Sequence, residues 1–142
     1  MEPVRFVCHI DKSSSTGTDE RRFWGRGYIH TTADGQVEDV SGDVLDTPQA
    51  QRELEEAFYG YVKSYRSGDA NHEVFDAATM IEGFVVTAEK KAHGLFPTDM
   101  AEGVYVAFEC NDSDEGDLLW EGVKSGRFSA LSIVGEGWRE AI

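Results

Sequence analysis

The chain is poor in cysteine, in proline and, above all, in positive charge. Of its 142 residues thirteen are Lys or Arg and 27 are Asp or Glu, for a formal charge of −14. A nucleic-acid-binding surface needs a basic footprint to displace counterions, so this balance speaks against a nucleic-acid partner. The acidity suits a salt-rich habitat, a basic partner or plain solubility equally well. Cys8 and Cys110 are the only cysteines, and both fall in apolar runs. The expectation is two buried thiols in a cytosolic protein. His9, His30, His72 and His93 are scattered, with no pair at the spacing of a zinc site, so no metal is expected. No run is long and apolar enough to span a membrane. Met1-Glu2-Pro3-Val4-Arg5-Phe6 lacks the charged and apolar regions of a signal peptide.

What is present is enough for one folded domain, taken as 1–142. Apolar residues make up 40% and aromatic residues 11% of the chain, which suffices for one core and not two. Val4, Phe6, Cys8 and Ile10 alternate and predict a half-buried strand over Val4–Ile10. Residues 11–20 read as a loop. Arg22–His30 reads as a second strand, with Phe23, Gly25, Gly27 and Ile29 on one side and Trp24, Arg26 and Tyr28 on the other. Thr31–Asp46 reads as a surface loop with a turn at Ala33-Asp34-Gly35. Thr47 and Pro48 open a helix whose apolar face is Leu54, Ala57, Phe58, Tyr61, Val62 and Tyr65; Ser67-Gly68-Asp69 is expected to end it. Thr79–Thr87 and Val104–Cys110 read as strands, with Ala88–Glu102 a loop between them. Ser113 caps a second helix over Asp114–Ser125, with Leu118, Leu119, Trp120 and Val123 turned inward and Gly126 as its stop. The order lacks the βαβ alternation of a doubly wound sheet. It predicts an α+β fold: a small, mainly antiparallel β-barrel or curled sheet flanked by two or more helices.

The last strand, Phe128–Val134, carries Ser132 between Leu131 and Ile133, with Gly135 and Gly137 just beyond. A nucleophilic serine needs a rigid strand to aim its Oγ and free backbone N–H groups nearby for a developing oxyanion. A serine in a strand more often simply bonds a neighbouring carbonyl. His72 lies between a helix end and a strand, where a side chain can be held at a sheet edge. Most lone histidines are bystanders. In the Thr79–Thr87 strand, Glu82 shares a face with Met80, Phe84 and Val86, so it should be paired or protonated unless it points to water. His72 is one available partner.

Several segments together resemble the XkdF-like phage prohead proteases, relatives of the capsid-maturation serine proteases of tailed phages and herpesviruses. The segments are Asp39-Val40-Ser41-Gly42-Asp43, the amphipathic helix ending in Tyr65-Arg66 with His72 after it, Met80-Ile81-Glu82-Gly83, Val104 through Glu109, and Trp120 through Gly135. Their order and spacing, from about Tyr28 to the C-terminus, carry the likeness more than any one of them. Gly83 stands where the family pattern has serine, Ala130 where it has glycine, and Val134 where it has a small residue.

The resemblance implies a herpesvirus/prohead-protease-like fold and a serine endopeptidase with Ser132 as nucleophile and His72 as general base. It needs no cofactor. For the group that orients His72, Glu82 is the first choice. Glu136 is the second, by analogy with relatives whose third member comes after the serine. Backbone N–H groups from Val134 to Gly137 are the expected oxyanion donors. The implied substrates are capsid scaffold and major capsid protein segments, and the chain itself. The implied place is the phage prohead interior or the host cytoplasm, with no nucleic-acid or membrane partner; a homodimer is admitted. A rival from another class is a non-enzymatic acidic β-barrel module acting in capsid assembly or scaffold interaction, which needs no pairing of His72 with Ser132.

Overall fold

The computed structural model describes residues 3–13, 20–38, 44–64, 67–70, 74–127 and 130–136. Seven strands and three helices succeed one another in the order β1 (Pro3–Ser13), β2 (Arg22–Thr32), β3 (Gly35–Gln36), α1 (Pro48–Ser64), β4 (Ser67–Ala70), β5 (Val74–Val86), α2 (Ala88–Ala92), β6 (Glu102–Cys110), α3 (Asp114–Ser125) and β7 (Ala130–Glu136). The fold is α+β and its sheet is antiparallel at every pairing. Strands run in the order β1-β7-β4-β5-β6-β2-β3, and β1 also pairs with β2. The pairings therefore make a circuit of six strands, with β3 outside it as the second arm of a tight hairpin.

The core lies where β2, β5 and β6 meet α1 and α3. Val104, Val106, Phe108 and Cys110 alternate along β6 and are all buried. Phe23 of β2 stacks on Phe108 with ring centroids 5.7 Å apart. From α1, Leu54, Ala57, Phe58 and Tyr61 recur at helical spacing and complete the cluster, and α3 adds Leu119, Trp120 and Val123. Burying each large side chain of this kind contributes about 1.5–3 kcal/mol. Both long helices begin on the expected caps: Ala50 N donates to Thr47 Oγ1 at 3.1 Å, and Gly116 N donates to Ser113 Oγ at 3.0 Å. Gly126 ends α3 in the left-handed conformation, φ 78°.

Four local expectations are corrected. Ser67-Gly68-Asp69 is not a helix stop: α1 closes at Ser64, and these residues begin β4, which pairs with both β5 and β7. Residues 88–102 are not all loop, because Thr87 caps the short helix α2, accepting from Lys90 N. Leu118 is 59% exposed; α3 turns Gly116, Leu119, Trp120 and Val123 inward, and Leu118 lies off that stripe. In β2 the alternation breaks, since the register against β6 shifts between Arg26 and Tyr28 and again between Ile29 and Thr31. Each shift inserts an unpaired residue and reverses the facing side chains. His30 rather than Ile29 is therefore buried.

Gly103 pairs with Ile29 between these two shifts. Its φ is +147°, and a Cβ placed on it would collide with the Tyr28 carbonyl oxygen. Gly60, in the middle of α1, has nothing within 4 Å of its Cβ position. Gly103→Ala should cost at least about 2 kcal/mol of unfolding free energy. Gly60→Ala should add about 0.5–1 kcal/mol by helix propensity. Urea melts of the two variants beside the parent chain check both signs.

Candidate active site

The strand that carries Ser132 is held on both edges. On one side β7 runs along β1 without a register break, from Pro3↔Glu136 through Val7↔Ser132 to His9↔Ala130. On the other it pairs with β4 at Gly68↔Ile133 and Asp69↔Ser132. Partners in an antiparallel register share a face and have Cβ atoms about 4.5–5.5 Å apart. One face therefore holds Arg5, Val7 and His9 of β1, Ala130, Ser132 and Val134 of β7, and Asp69 of β4. The opposite face holds Phe6 and Cys8 with Leu131 and Ile133. From His9 that register continues to its partner Arg26 on β2, which is exposed.

The β4–β7 pairing covers only Gly68 and Asp69. Beyond Ile133, the backbone of Val134–Glu136 keeps β1 as partner on one edge and has no strand partner on the other among the described residues. Gly137 lies outside them.

The sequence does not single out Asp69, the β4 partner of Ser132. Ser-Gly-Asp-Ala carries no apolar alternation, and its composition is that of a turn. Only the tertiary pairing reveals a strand. His72 and the segments 39–43 and 65–66, singled out from the sequence, lie outside the described residues.

Glu82 is placed elsewhere in the sheet. It is exposed on β5 opposite Ala107 of β6, beyond Thr79, the last β5 residue to pair with β4. The expectation that it would need a partner or a proton is corrected: a register shift between Met80 and Glu82 breaks the alternation with Met80 and leaves the carboxylate in solvent. Next to it, Gly83 has Phe58 Cζ and Met80 Sδ each 2.8 Å from where a Cβ would stand. A serine there would require the ends of the Phe58 and Met80 side chains to shift. Glu136 closes β7 opposite Pro3. It is four residues from Ser132, roughly 13 Å at strand rise.

Two other polar clusters are structural joins. Near the start of β2, Arg21 (φ 60°) donates to Asp117 at 2.6 Å and to the Asn111 carbonyl at 2.8 Å, and Thr79 Oγ1 donates to Asn111 Oδ1 at 2.7 Å. These bonds clamp α3 to β2 and β5. The open hollow beside them, about 480 Å³, shares Arg21, Thr79 and Asn111 with this clamp. At the other end, His30 is 2% exposed, with Nδ1 2.8 Å from Thr31 Oγ1. Close to it Lys91 Nζ is 2.9 Å from Glu102 Oε2. Burial pushes the His30 imidazole below its ordinary value; Glu102 works against this and Lys91 with it. Among the described residues no group of three or more His, Cys, Asp or Glu is gathered to hold a metal ion, and no helix is long and apolar enough to cross a membrane.

No protein-family model matches this chain, and neither a characterised protein nor a solved structure does.

The buried imidazole gives a pH dependence of known sign. Its folded value lies below the unfolded value of about 6.5, so the unfolded chain binds more protons. The stability His30 lends is present above about pH 6.5 and is lost as pH falls toward the folded value, by at most about 1.4 kcal/mol per pH unit. The stability difference between the parent and His30→Gln should shrink across that window as pH falls. Denaturant melts at stepped pH give the slope directly.

Proposed function

We propose that this chain is a serine endopeptidase of viral capsid maturation, with Ser132 as nucleophile and His72 as general base. The observation that carries the reading is the position of Ser132. It stands in a strand paired on both edges, in register with Val7 of β1 and Asp69 of β4. Just beyond it the backbone of Val134–Glu136 has an edge with no strand partner among the described residues. That edge is a candidate oxyanion site. A curled antiparallel sheet with helices is also what a prohead- or herpesvirus-type protease domain requires.

In the proposed reaction the serine hydroxyl is too weakly acidic to attack unaided. His72 takes its proton as Oγ bonds to the scissile carbonyl carbon, and returns it to the leaving amine as the C–N bond breaks. Water then releases the acyl group by the same route in reverse. Substrates are scaffold and capsid-protein segments, and the chain itself. The work is done in the prohead or the host cytoplasm, in a form that admits a homodimer. The sequence offers Glu82 and Glu136 for the third role.

A second reading, a non-enzymatic assembly module, is favoured by one observation. Trp24 is 43% exposed, Ile81 45% and Phe84 39% on the β2–β6–β5 side of the sheet. Phe84 is stacked between Phe96 and Tyr105, with centroids 5.3 and 5.2 Å away. An aromatic surface of this kind suits a protein partner.

A phosphonofluoridate probe separates the readings. Attack by Ser132 forms an Oγ–P bond, expels fluoride and leaves the proton on the imidazole. The expected outcome is a single adduct on Ser132, found by peptide mass spectrometry and absent from Ser132→Ala and His72→Ala. Labelling should decline as pH drops through the titration of His72. Ser132→Ala should also stop processing of co-expressed scaffold or capsid protein. An adduct on Ser129, or labelling undiminished in His72→Ala at neutral pH, hands the chain to the assembly reading.

A further inference from the structure

We infer that the outward face of β2, β6 and β5 is a self-association surface, on which a second copy of this chain docks about a two-fold axis running along β6. The inference is independent of the chemistry at Ser132. The register fixes which residues share that face. Trp24 lies opposite Ala107 of β6, and Ala107 lies opposite Glu82 of β5. The bulge between Met80 and Glu82 adds Ile81 to this row, and Ile81 borders the same open hollow as Thr79 and Glu109. One step along the strands, Arg26, Tyr105 and Phe84 make a second row; one step the other way, Arg22, Glu109 and Thr79 make a third. Trp24, Ile81 and Phe84 are exposed, whereas Ala107 among them is buried. A small residue between Trp24 and Ile81 makes a low point flanked by two large side chains, the relief that packed sheets interdigitate through. The face is also stiff on one side. Phe84 is stacked between Phe96 and Tyr105, and the Tyr105 hydroxyl donates to the Ala101 carbonyl at 2.8 Å. Side chains already held in place cost little to order on binding.

Charge selects the occupant. The chain carries a formal charge of −14, so its surface at large repels a second copy and attracts a basic partner. On this face the charges balance: Arg22 and Arg26 stand against Glu82 and Glu109, and Arg22 Nε donates to Glu109 at 3.0 Å. A basic protein is drawn to the acidic surface elsewhere, whereas two copies meet most easily where neither presents a net charge. The same residues select the axis. A two-fold axis across the strands would lay β2 on β2, setting Arg22 against Arg26 and Glu82 against Glu82. An axis along β6 lays β2 of one copy over β5 of the other. Trp24 then meets Ile81 and Glu82, whose carboxylate can accept from the indole N–H, and Arg26 meets the ring of Phe84. The patch is three strands wide and runs from Tyr105 to Glu109 along β6, roughly 14 Å by 17 Å. That is small for a protein interface, so the dimer is weak and forms at high concentration.

The test is sedimentation equilibrium of the full chain from about 10 µM to about 1 mM, at about 0.05 M and about 0.5 M salt. A dimer should form, and its Kd should fall at the higher salt, which screens the repulsion between two acidic copies. Trp24→Ser and Ile81→Asp should each raise that Kd by at least about tenfold. Leu118→Ser, which removes another exposed apolar side chain from α3, should leave it unchanged. Trp24 also supplies a readout in the parent chain: its emission, isolated by comparison with Trp24→Phe, should shift to the blue as the dimer forms. A chain that stays monomeric to about 1 mM at the higher salt overturns the inference and leaves the face to a different protein. So does a dimer whose Kd rises with salt, a dimer indifferent to Trp24→Ser and Ile81→Asp, or a Trp24 emission that does not move. If either variant fails to fold, the emission of the parent chain decides.

Discussion

The circuit of strands closes through four residues. Among the described residues β4 alone joins β7 to β5, and it does so with Ser67–Ala70, a segment without a large apolar residue. Nothing in its composition drives it into a sheet. Its place is set by backbone hydrogen bonding on both edges, a gain of about 0.5–1.5 kcal/mol for each bond, and by the connections to α1 before it and β5 after it. The rest of the molecule is built to make that insertion possible. α1 packs its Phe58 and Tyr61 into the core and delivers the chain to the gap. β5 is long enough to pair with β4 at its start and with β6 over most of its length.

The core and the candidate site draw on different strands. The core is concentrated in β2, β5, β6, α1 and α3, with Phe23 against Phe108 at its centre. Ser132 belongs to the β1–β7–β4 part of the sheet.

Legibility in the sequence divides along the same line. α1 and α3 are visible because a 3.6-residue apolar period coincides with cap residues, Thr47 and Pro48 for one, Ser113 and Gly126 for the other. β6 is visible because Val104, Val106, Phe108 and Cys110 alternate without interruption. β4 is not, because strand formation there depends on neighbours far away in the chain, and Ser-Gly-Asp read alone is turn chemistry. α2 is not, because Ala-Glu-Lys-Lys-Ala has no apolar stripe. The faces of β2 and β5 are legible only in part: alternation holds up to the register shifts near Gly27 and Ile81 and reverses or slips after them. Ser132 stands out as a hydroxyl in an apolar run, whereas the acid opposite it comes only from register, which a sequence read in one dimension does not contain.

The short helix α2 is attached to the sheet without burial. None of its residues is buried. Lys90 reaches Tyr59 Oη at 3.0 Å, the Val85 carbonyl at 2.9 Å and Glu55 at 3.4 Å, and Lys91 reaches Glu102 and the Met100 carbonyl. Burial lowers the Lys90 ammonium, but its bonds to Tyr59 and Glu55 outweigh this and hold it raised. An apolar anchor weakens only when the whole core opens, whereas a charged anchor is screened by dissolved salt and abolished by neutralising one lysine. α2 is therefore a cooperative unit of its own, one that detaches before the sheet does. Its amides would exchange with solvent by local opening, faster as ionic strength rises, while those of β5 and β6 wait for global unfolding.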